Sequence, residues 1–305
     1  MRFVIESWAT EYGSAVDAEG LDPSSRVADV TVEIPAMSWK PIAPPSTIRP
    51  DRILFTDGVR RVDARVWVGN NGHRAVPGIC ASYAAGAVMC DGRAEVVATE
   101  VERGLFSAAS EAEAICCRHA TYPVRRPESD SPEALALALQ QRMGVLETAL
   151  AESQDADLVV VDGPLKGPRS VSPTIGYVKS HHVAYLPDEC DATVAALQPG
   201  ERTPIFLIPG AWSRFSWYLR LPGAVGHSWA GVVRCETSGD TEINDVIALA
   251  NMSAGTLPYF ASASHKDPRA PQNLYPIAGL ERELRRRLGD QELLYRSLRV
   301  AAHAS

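Results

Sequence analysis

The pattern of hydrophobic and polar positions changes sharply after residue 50, where long apolar stretches begin. Residues 52–69, 78–92 and 93–106 are rich in β-branched residues and predict three successive strands. Asp91-Gly92 joins the last two and predicts a hairpin, because both positions of a tight hairpin turn need residues that tolerate positive φ. The pattern therefore predicts an antiparallel three-stranded unit at the start of the main domain.

A helix is predicted over residues 131–153. Ser131 is a good N-cap, and Pro132 suits the first helical position. Apolar residues then recur every three or four positions, which predicts one buried stripe. A short helical segment is also predicted near residues 110–119. The members of the stripe are Leu135, Leu139, Met143, Leu146 and Leu150.

The segment 155–165 is a run of Leu and Val without polar alternation, which is typical of a strand buried on both faces. Further strands are predicted in residues 203–210, 216–223 and 228–237. A helix over 243–255, a polar loop and a last helix over 279–300 complete the pattern. Strands and helices in this order predict an α/β domain with a mixed sheet.

Residues 1–50 have a different character from the rest of the chain. Prolines at positions 35, 41, 44, 45 and 50 prevent a regular helix or a central strand, so we expect an extended N-terminal arm. Its tryptophans, Trp8 and Trp39, predict docking on an apolar surface, either of the domain or of a partner chain. Residues 51–305 then form the second predicted unit.

Composition limits the classes of protein that fit. The 305 residues are 46% hydrophobic and 22% charged, as in ordinary globular proteins, and no apolar run reaches the length of a membrane span. The first residues carry Glu6 and Glu11 and lack the apolar core of a signal peptide, so we expect a cytoplasmic protein. None of the six cysteines forms a CxxC pair, which argues against a zinc site.

The net charge of −7 argues against a protein that coats DNA by itself, because neutralising phosphates needs many cations. The 30 basic residues include only four lysines, at positions 40, 166, 179 and 266, and therefore 26 arginines. There is no P-loop, dinucleotide-binding glycine motif, GxSxG or HExxH. ATP hydrolysis, dinucleotide binding and serine hydrolysis therefore lose their usual sequence support.

Two carboxylates stand at the ends of hydrophobic strands, each followed by glycine. Asp57 occurs in ILFTDG and Asp162 in LVVVDG. A carboxylate there is costly to bury unless a cation neutralises it, and the glycine permits close backbone approach or an unusual dihedral. Either dipeptide alone fits a simple turn equally well.

Three antiparallel strands, a helix and a strand that ends in aspartate follow the chain order of an RNase H-like fold. The first and fourth strands are neighbours in that arrangement, so Asp57 and Asp162 are expected to converge. Glu147, on the predicted helix, is a candidate third ligand. Clustered carboxylates repel one another, which points to two Mn²⁺ or Mg²⁺ ions and to phosphodiester hydrolysis.

The ordered segments FTDG, RMGVLETAL, LVVVDGPL, GYVKSHH and NLYPIAGLERELRRRLGD resemble the NurA family of nucleases over roughly residues 50–300. The resemblance implies an RNase H-like fold, Mn²⁺-dependent single-strand endonuclease and 5′–3′ exonuclease activity, and a dimer. It also implies a partner, a hexameric HerA-type ATPase that translocates DNA during end resection.

The resemblance implies roles for individual residues. Asp57 and Asp162 match the metal aspartates, and Glu147 matches the helix glutamate, with Glu100 and Glu102 as competitors. Lys179 matches a lysine that can hold the scissile phosphate as a point charge. The remaining candidates are Tyr275 as a catalytic residue, and Arg60, His181 and His182 as contacts to DNA.

The sequence departs from the family after Tyr275-Pro276, because the following helix lacks the expected histidine. Glu281 is the candidate metal ligand in its place, and Glu283 and His265 are alternatives. Two other functions remain open for the chain. One is a catalytically weakened structural adaptor of the ATPase, and the other is a different RNase H-like phosphodiesterase such as a resolvase or an RNase.

Overall fold

The strands and helices combine into an α/β fold built on a large mixed sheet. The computed structural model describes residues 2–5, 28–45, 49–69, 75–165, 167, 173–179, 185–210, 212–223, 229–267 and 269–304. The strands are β1 (Arg2–Ile5), β2 (Ile53–Gly69), β3 (Val76–Cys90), β4 (Ala94–Ser107), β5 (Ile115–Cys117), β6 (Ala120–Tyr122), β7 (Val124–Arg125), β8 (Leu158–Asp162), β9 (Thr174–Val178), β10 (Phe206–Ile208), β11 (Arg214–Arg220) and β12 (Val232–Ser238). The helices are α1 (Pro132–Glu152), α2 (Asp188–Ala196), α3 (Ile243–Thr256), α4 (Tyr275–Arg287) and α5 (Gln291–Ala304), with 3-10 turns at Ala36–Ser38 and Leu257–Phe260.

The three strands predicted from residues 52–106 form the antiparallel meander β2-β3-β4, as expected. The hairpin between β3 and β4 turns at Asp91-Gly92, and Gly92 adopts a φ of +94°. That dihedral is accessible to glycine without steric cost, which explains the turn dipeptide. The predicted hairpin is confirmed.

The fourth long apolar segment, β8, lies beside the first strand. β8 runs parallel to β2, and β9 runs parallel to β8. Within the described residues the sheet has ten strands, in the order β10-β11-β12-β9-β8-β2-β3-β4-β7, and β1 pairs with β2. The expected neighbourhood of the first and fourth strands is therefore confirmed.

Helices cover the two faces of the sheet. On one face α1 buries its apolar stripe against β3, and on the other face α3 and α4 pack against β2, β3 and β11. Ser131 caps α1 as predicted, since its hydroxyl accepts a hydrogen bond of 3.1 Å from the Ala134 N–H. Strands β8 and β2 are thus buried on both sides, as the unalternating apolar run predicted.

Two helix predictions are wrong. The segment near residues 110–119 is no helix, because β5 and β6 pair there as a small antiparallel ribbon. The last helix is not continuous over 279–300. It breaks between α4 and α5 at Gly289, which has a φ of +83°, and the Arg61 guanidinium donates a hydrogen bond of 2.8 Å to its carbonyl. Strand β9 and helix α2 had no counterpart in the sequence pattern.

The described part of the predicted arm lies on the domain itself. The Trp39 ring contacts Phe206, and its indole N–H donates to the Val30 carbonyl at 2.8 Å. Glu33 forms a buried ion pair of 2.8 Å with Arg202. One turn of 3-10 helix is the arm's helical content in residues 28–45 and 49–50, as its prolines predict. Trp8 lies outside the described residues.

Membrane insertion was not expected from the sequence. In the described part of the chain, no helix has both the length and the apolar character needed to span a bilayer.

Candidate functional site

Asp57 and Asp162 meet where β8 ends. The last parallel pair of β2 and β8 joins Thr56 to Val161, so the next residue of each strand is one of the two aspartates. Asp57 is 9% exposed and the Asp162 side chain is 14% exposed. The expected convergence of these two carboxylates is therefore present in the fold.

Helix α4 covers the same side of the sheet as Asp57. Asp57 pairs across β3 with Gly86, and residues paired in this way project from the same face. A Cβ atom on Gly86 would lie 2.8 Å from a Leu280 methyl group of α4. Glycine at this position therefore lets α4 pack closely over the sheet beside Asp57.

The glycines that follow the two aspartates serve different purposes. A Cβ atom on Gly58 would collide with the Glu147 carboxylate of α1, so the absence of a side chain makes room for that glutamate. Gly163 has a φ of +97°, and its N–H donates to the Tyr177 carbonyl at 2.8 Å. Its dihedral lets the chain leave β8 directly after Asp162.

The electrostatics of the pair are unfavourable for two negative charges. Burial and the nearby charge of Asp162 raise the pKa of Asp57 well above its ordinary value. Burial also raises the pKa of Asp162, although the Lys179 charge opposes this effect. Asp57 accepts one hydrogen bond of 2.7 Å, from the N–H of Gly58. Two buried carboxyls in this state need a cation in order to ionise together.

Lys179 supplies one positive charge. It directly follows β9, and its ammonium lies 2.7 Å from Asp162 Oδ2 and 3.2 Å from Asn273 Oδ1. Asn273 is buried and donates in turn to Asp267 Oδ2 at 2.6 Å. Nothing in the sequence pattern singled out Asn273 or Asp267, because an amide in a polar loop gives no signal before the loop folds onto β9.

Glu147 approaches the pair from α1 at the Gly58 edge. It is buried, and its charge raises the pKa of Asp57 after the larger effects of burial and Asp162. The same charge acts on Arg60, an exposed residue whose guanidinium donates to Gln140. Arg60 thus lies at the edge of the site. The sequence predicted a contact between this residue and DNA.

The competitors of Glu147 lie elsewhere. Glu102 accepts hydrogen bonds from Tyr83 at 2.6 Å and from Arg125 at 3.2 Å. Glu100 is exposed on β4. Neither carboxylate is among the main influences on the pKa of Asp57, whereas Glu147 is. Of the three glutamates, Glu147 is therefore the one that the fold brings to the aspartates.

Glu281 lies near Asp162, since its charge raises the pKa of that aspartate after the larger effect of burial. Its own oxygens already form ion pairs, with Arg269 at 2.5 Å and with Arg285 at 2.8 Å. Burial raises the pKa of Glu281, but the hydrogen bonds from both arginines hold it below its ordinary value. Glu281 is thus a neighbour of the aspartates whose oxygens are held by arginine.

The remaining candidates make contacts of their own, are exposed, or lie outside the described residues. Hydrogen bonds from Arg286 and Arg287 lower the pKa of the partly exposed Glu283 to about 2, and His265 is exposed in the loop before α4. The Tyr275 hydroxyl accepts from the Ala263 N–H at 3.2 Å. His181 and His182 lie outside the described residues.

The donor set at the aspartates fits a hard divalent cation. Asp57 and Asp162 offer carboxylate oxygens, the ligands that Mg²⁺ and Mn²⁺ prefer, whereas Glu147 reaches Gly58 from the opposite face of the sheet. Asp162 Oδ1 is buried and makes no hydrogen bond. In the described ranges no three residues among His, Cys, Asp and Glu are already arranged as a metal centre. Lys179 is instead the closest charged partner of Asp162.

This arrangement is described by its charges and by its place in the sheet. It combines carboxylates that repel one another, a lysine with a compact charge, and a position at the carboxyl ends of two parallel strands, where open α/β sheets bind ligands. Comparison with known proteins adds no assignment: the chain matches none of the protein-family models and none of the curated proteins.

Proposed function

We propose that this protein is a metal-dependent DNA nuclease of the NurA type, acting as a single-strand endonuclease and 5′–3′ exonuclease. The observation that carries this proposal is the pair of buried aspartates, Asp57 and Asp162, side by side at the end of β8 with Lys179 beside them. Two like charges held together in a buried position destabilise the fold. A role in binding a cation for catalysis explains why the protein has them there.

The strand order supports an RNase H-like fold as part of the same proposal. Such a fold has three antiparallel strands followed by two parallel strands beside the first. The spatial order β4-β3-β2-β8-β9 has that form. Along the chain, α1 comes after β4 and before β8. Strands β10, β11 and β12 extend the sheet beyond this unit. Fold likeness raises the expectation of nuclease chemistry without establishing it.

Each residue has a distinct part in the proposed reaction. Asp57, Asp162 and Glu147 would hold one or two Mn²⁺ or Mg²⁺ ions. Such ions, when bound, supply activation of water and stabilisation of the leaving oxygen. Lys179 neutralises Asp162 through its ion pair of 2.7 Å, and its compact charge would hold a substrate phosphate in the proposed reaction.

The charge of the chain fits a substrate delivered by a partner. With a net charge of −7, the isolated protein is expected to bind DNA weakly and in a salt-sensitive manner. A hexameric HerA-type ATPase that feeds DNA to a dimer of this chain is the partner that we propose. Double-strand break resection and defence against phage are the two settings in which this pairing is useful.

A specific observation favours a second function, that of a structural adaptor of the ATPase with weakened catalysis. Glu281, the residue expected to replace the family's histidine, has both oxygens in ion pairs with arginines. A ligand held in this way is less available to a metal. The third alternative, a resolvase or an RNase, differs in substrate rather than in the site.

A digestion assay tests these functions. Labelled single-stranded DNA, linear duplex, a four-way junction and single-stranded RNA are incubated with Mn²⁺, Mg²⁺ or EDTA, with and without the ATPase. The variant is Asp57→Asn. The matched control is Asp91→Asn, which changes the aspartate of another Asp-Gly pair, at an exposed hairpin turn.

We expect metal-dependent cleavage of single-stranded DNA by the wild type and by Asp91→Asn, and a loss of about a hundredfold or more for Asp57→Asn. Equal activity of wild type and Asp57→Asn contradicts the nuclease proposal. ATPase stimulation without any cleavage supports the adaptor instead. Preferential cleavage of the junction or of RNA supports the resolvase or RNase alternative.

A further inference from the structure

A groove of about 590 Å³ lies on the same side of the sheet as α4, away from the aspartates. It is bounded by the start of β2, the β3–β4 hairpin, the 3-10 turn Leu257–Phe260 and the first turn of α4. We call it the tyrosine groove after its two exposed aromatic side chains. Its chemically distinctive members are Arg49, Asp51, Arg93, Tyr259 and Tyr275.

Both tyrosines of the groove present part of their rings to solvent. Tyr259 is 68% exposed and Tyr275 is 41% exposed. The Tyr259 ring is held edge-on by Phe260, with ring centres 5.4 Å apart and planes at 86°. Exposed aromatic rings in a concave, polar-rimmed surface are typical of sites that bind a ligand.

Each of the two tyrosine rings has a positively charged side chain within about 6 Å of its centre. The Arg49 guanidinium stacks over Tyr259 at 3.9 Å from the ring centre, and the Lys266 ammonium lies 5.4 Å from the centre of Tyr275. Arg93 lines the groove as well and forms an exposed ion pair with Glu95 at 2.7 Å. The charged residues that line the groove are Arg49, Arg93 and Asp51, so the lining carries one more positive than negative charge.

The groove is connected to the carboxylate site through short stretches of chain. Ile53 contributes to the groove and precedes Asp57 on β2 by four residues, a distance of about 13 Å along a strand. Asn273 contacts Lys179, and Tyr275 begins α4 two residues later. The first residues of β2 and the segment before α4 therefore join the groove to the carboxylate site.

We propose that the tyrosine groove binds unpaired bases of single-stranded DNA next to the site of cleavage. This inference rests on the proposed function and adds to it a second contact with the substrate. Bases stack on aromatic rings without regard to sequence, and arginine beside such a ring adds charge for the backbone. A duplex has its bases already stacked, so the groove favours the single-stranded substrate.

Two measurements in EDTA test this inference, because no cleavage occurs without metal. Fluorescence anisotropy at low salt measures the binding of a labelled single-stranded oligonucleotide. Photo-crosslinking of an oligonucleotide that carries 5-iododeoxyuridine, followed by mass spectrometry, maps the contacted residue. The variants are Tyr259→Ala and Tyr259→Phe, and Val300→Ala serves as control for loss of an exposed apolar side chain on α5.

We expect Tyr259→Ala to weaken binding about tenfold and to lose a crosslink at residue 259. Tyr259→Phe and Val300→Ala should bind as the wild type does, because stacking needs the ring and not the hydroxyl. Equal binding by Tyr259→Ala, crosslinks mapped only elsewhere, or no binding at low salt overturns the inference. A change of oligomeric state in Tyr259→Ala with unchanged DNA binding assigns the groove to self-association and also overturns it.

The outcomes for the groove and for the nuclease proposal are separable. Loss of metal-dependent cleavage in Asp57→Asn with normal DNA binding by Tyr259→Ala rejects the groove alone. Binding and crosslinking at Tyr259 without any cleavage by the wild type rejects the nuclease and leaves a single-strand-binding surface.

Discussion

Strand β2 carries two buried aspartates six residues apart, and their surroundings differ completely. Asp63 is fully buried and accepts hydrogen bonds from Ser82 Oγ at 2.5 Å, Arg61 Nε at 2.8 Å and the Tyr122 hydroxyl at 3.0 Å. Asp57 accepts its hydrogen bond of 2.7 Å from the adjacent N–H of Gly58 and faces the carboxylate of Asp162.

The comparison separates a structural carboxylate from a functional one. The donors around Asp63 replace the water that burial removes, so its charge needs no external partner. Burial and the Asp63 charge also raise the pKa of Tyr122, which keeps that phenol protonated and able to donate. At Asp57 the corresponding compensation is incomplete, and a bound cation would complete it. The four predictions that follow test this contrast from its largest expected effect to its smallest.

Removing the structural carboxylate should have the largest effect on folding. Asp63→Ala leaves Arg61 without its ion pair and two buried hydroxyls without an acceptor, so we expect a loss of about 3–5 kcal/mol in the free energy of unfolding. Urea denaturation measures it. Asp63→Asn keeps an acceptor oxygen and should lose less. Equal stability of Asp63→Ala and wild type would show that Asp63 does not stabilise the fold.

Asp57 should make the stability of the metal-free protein depend on pH. Because its pKa is raised in the folded state, the folded protein binds more protons than the unfolded chain above about pH 4. The contribution of Asp57 to stability is therefore largest below that pH and falls as pH rises through the raised pKa, by up to about 1.4 kcal/mol per pH unit for one proton.

Urea denaturation in EDTA at several pH values measures this slope. Asp57→Asn carries no charge at any pH and should flatten it. Added Mn²⁺ should restore stability at the higher pH values, because a ligand that binds only the folded state stabilises that state. If the slope is unchanged in Asp57→Asn, then Asp57 is not the source of the pH dependence of stability.

Gly58 should tolerate no side chain. In Gly58→Ala the new Cβ would meet the Glu147 carboxylate and lie 2.9 Å from Met143 Cγ, so we expect a loss of about 1–3 kcal/mol together with reduced cleavage. Gly279→Ala on α4 is the control for stability alone, since its Cβ would enter open space at the wall of the tyrosine groove. Unchanged stability and cleavage in Gly58→Ala would show that Glu147 does not need its position beside β2.

Glu281 should matter least for chemistry. Its two oxygens are engaged by Arg269 and Arg285, so Glu281→Gln is expected to reduce cleavage less than about tenfold. Cleavage rates at saturating Mn²⁺ measure the effect against Asp57→Asn. A loss as large as that of Asp57→Asn would return Glu281 to the metal ligands that the sequence predicted.

The local sequence pattern predicted the elements that depend on interactions between residues close together in the chain. Ser131 caps its helix through a contact three residues away, and the Asp91-Gly92 turn depends on the dihedral freedom of its own residues. The prediction failed at residues 110–119, where pairing of β5 with β6 outweighs helical propensity. It also failed at Gly289, where a left-handed residue ends α4.

The sequence by itself determined the order of strands that makes Asp57 and Asp162 neighbours. The expectation that both aspartates end their strands holds for Asp162 at the end of β8 and is wrong for Asp57, which lies inside β2. Only the tertiary structure decided what surrounds them. Lys179 and Asn273 are 94 residues apart and make one contact, and Glu281 is held by Arg269 from the loop before α4. Such partners have no spacing rule, because side chains far apart in sequence meet only after the sheet and its covering helices have packed.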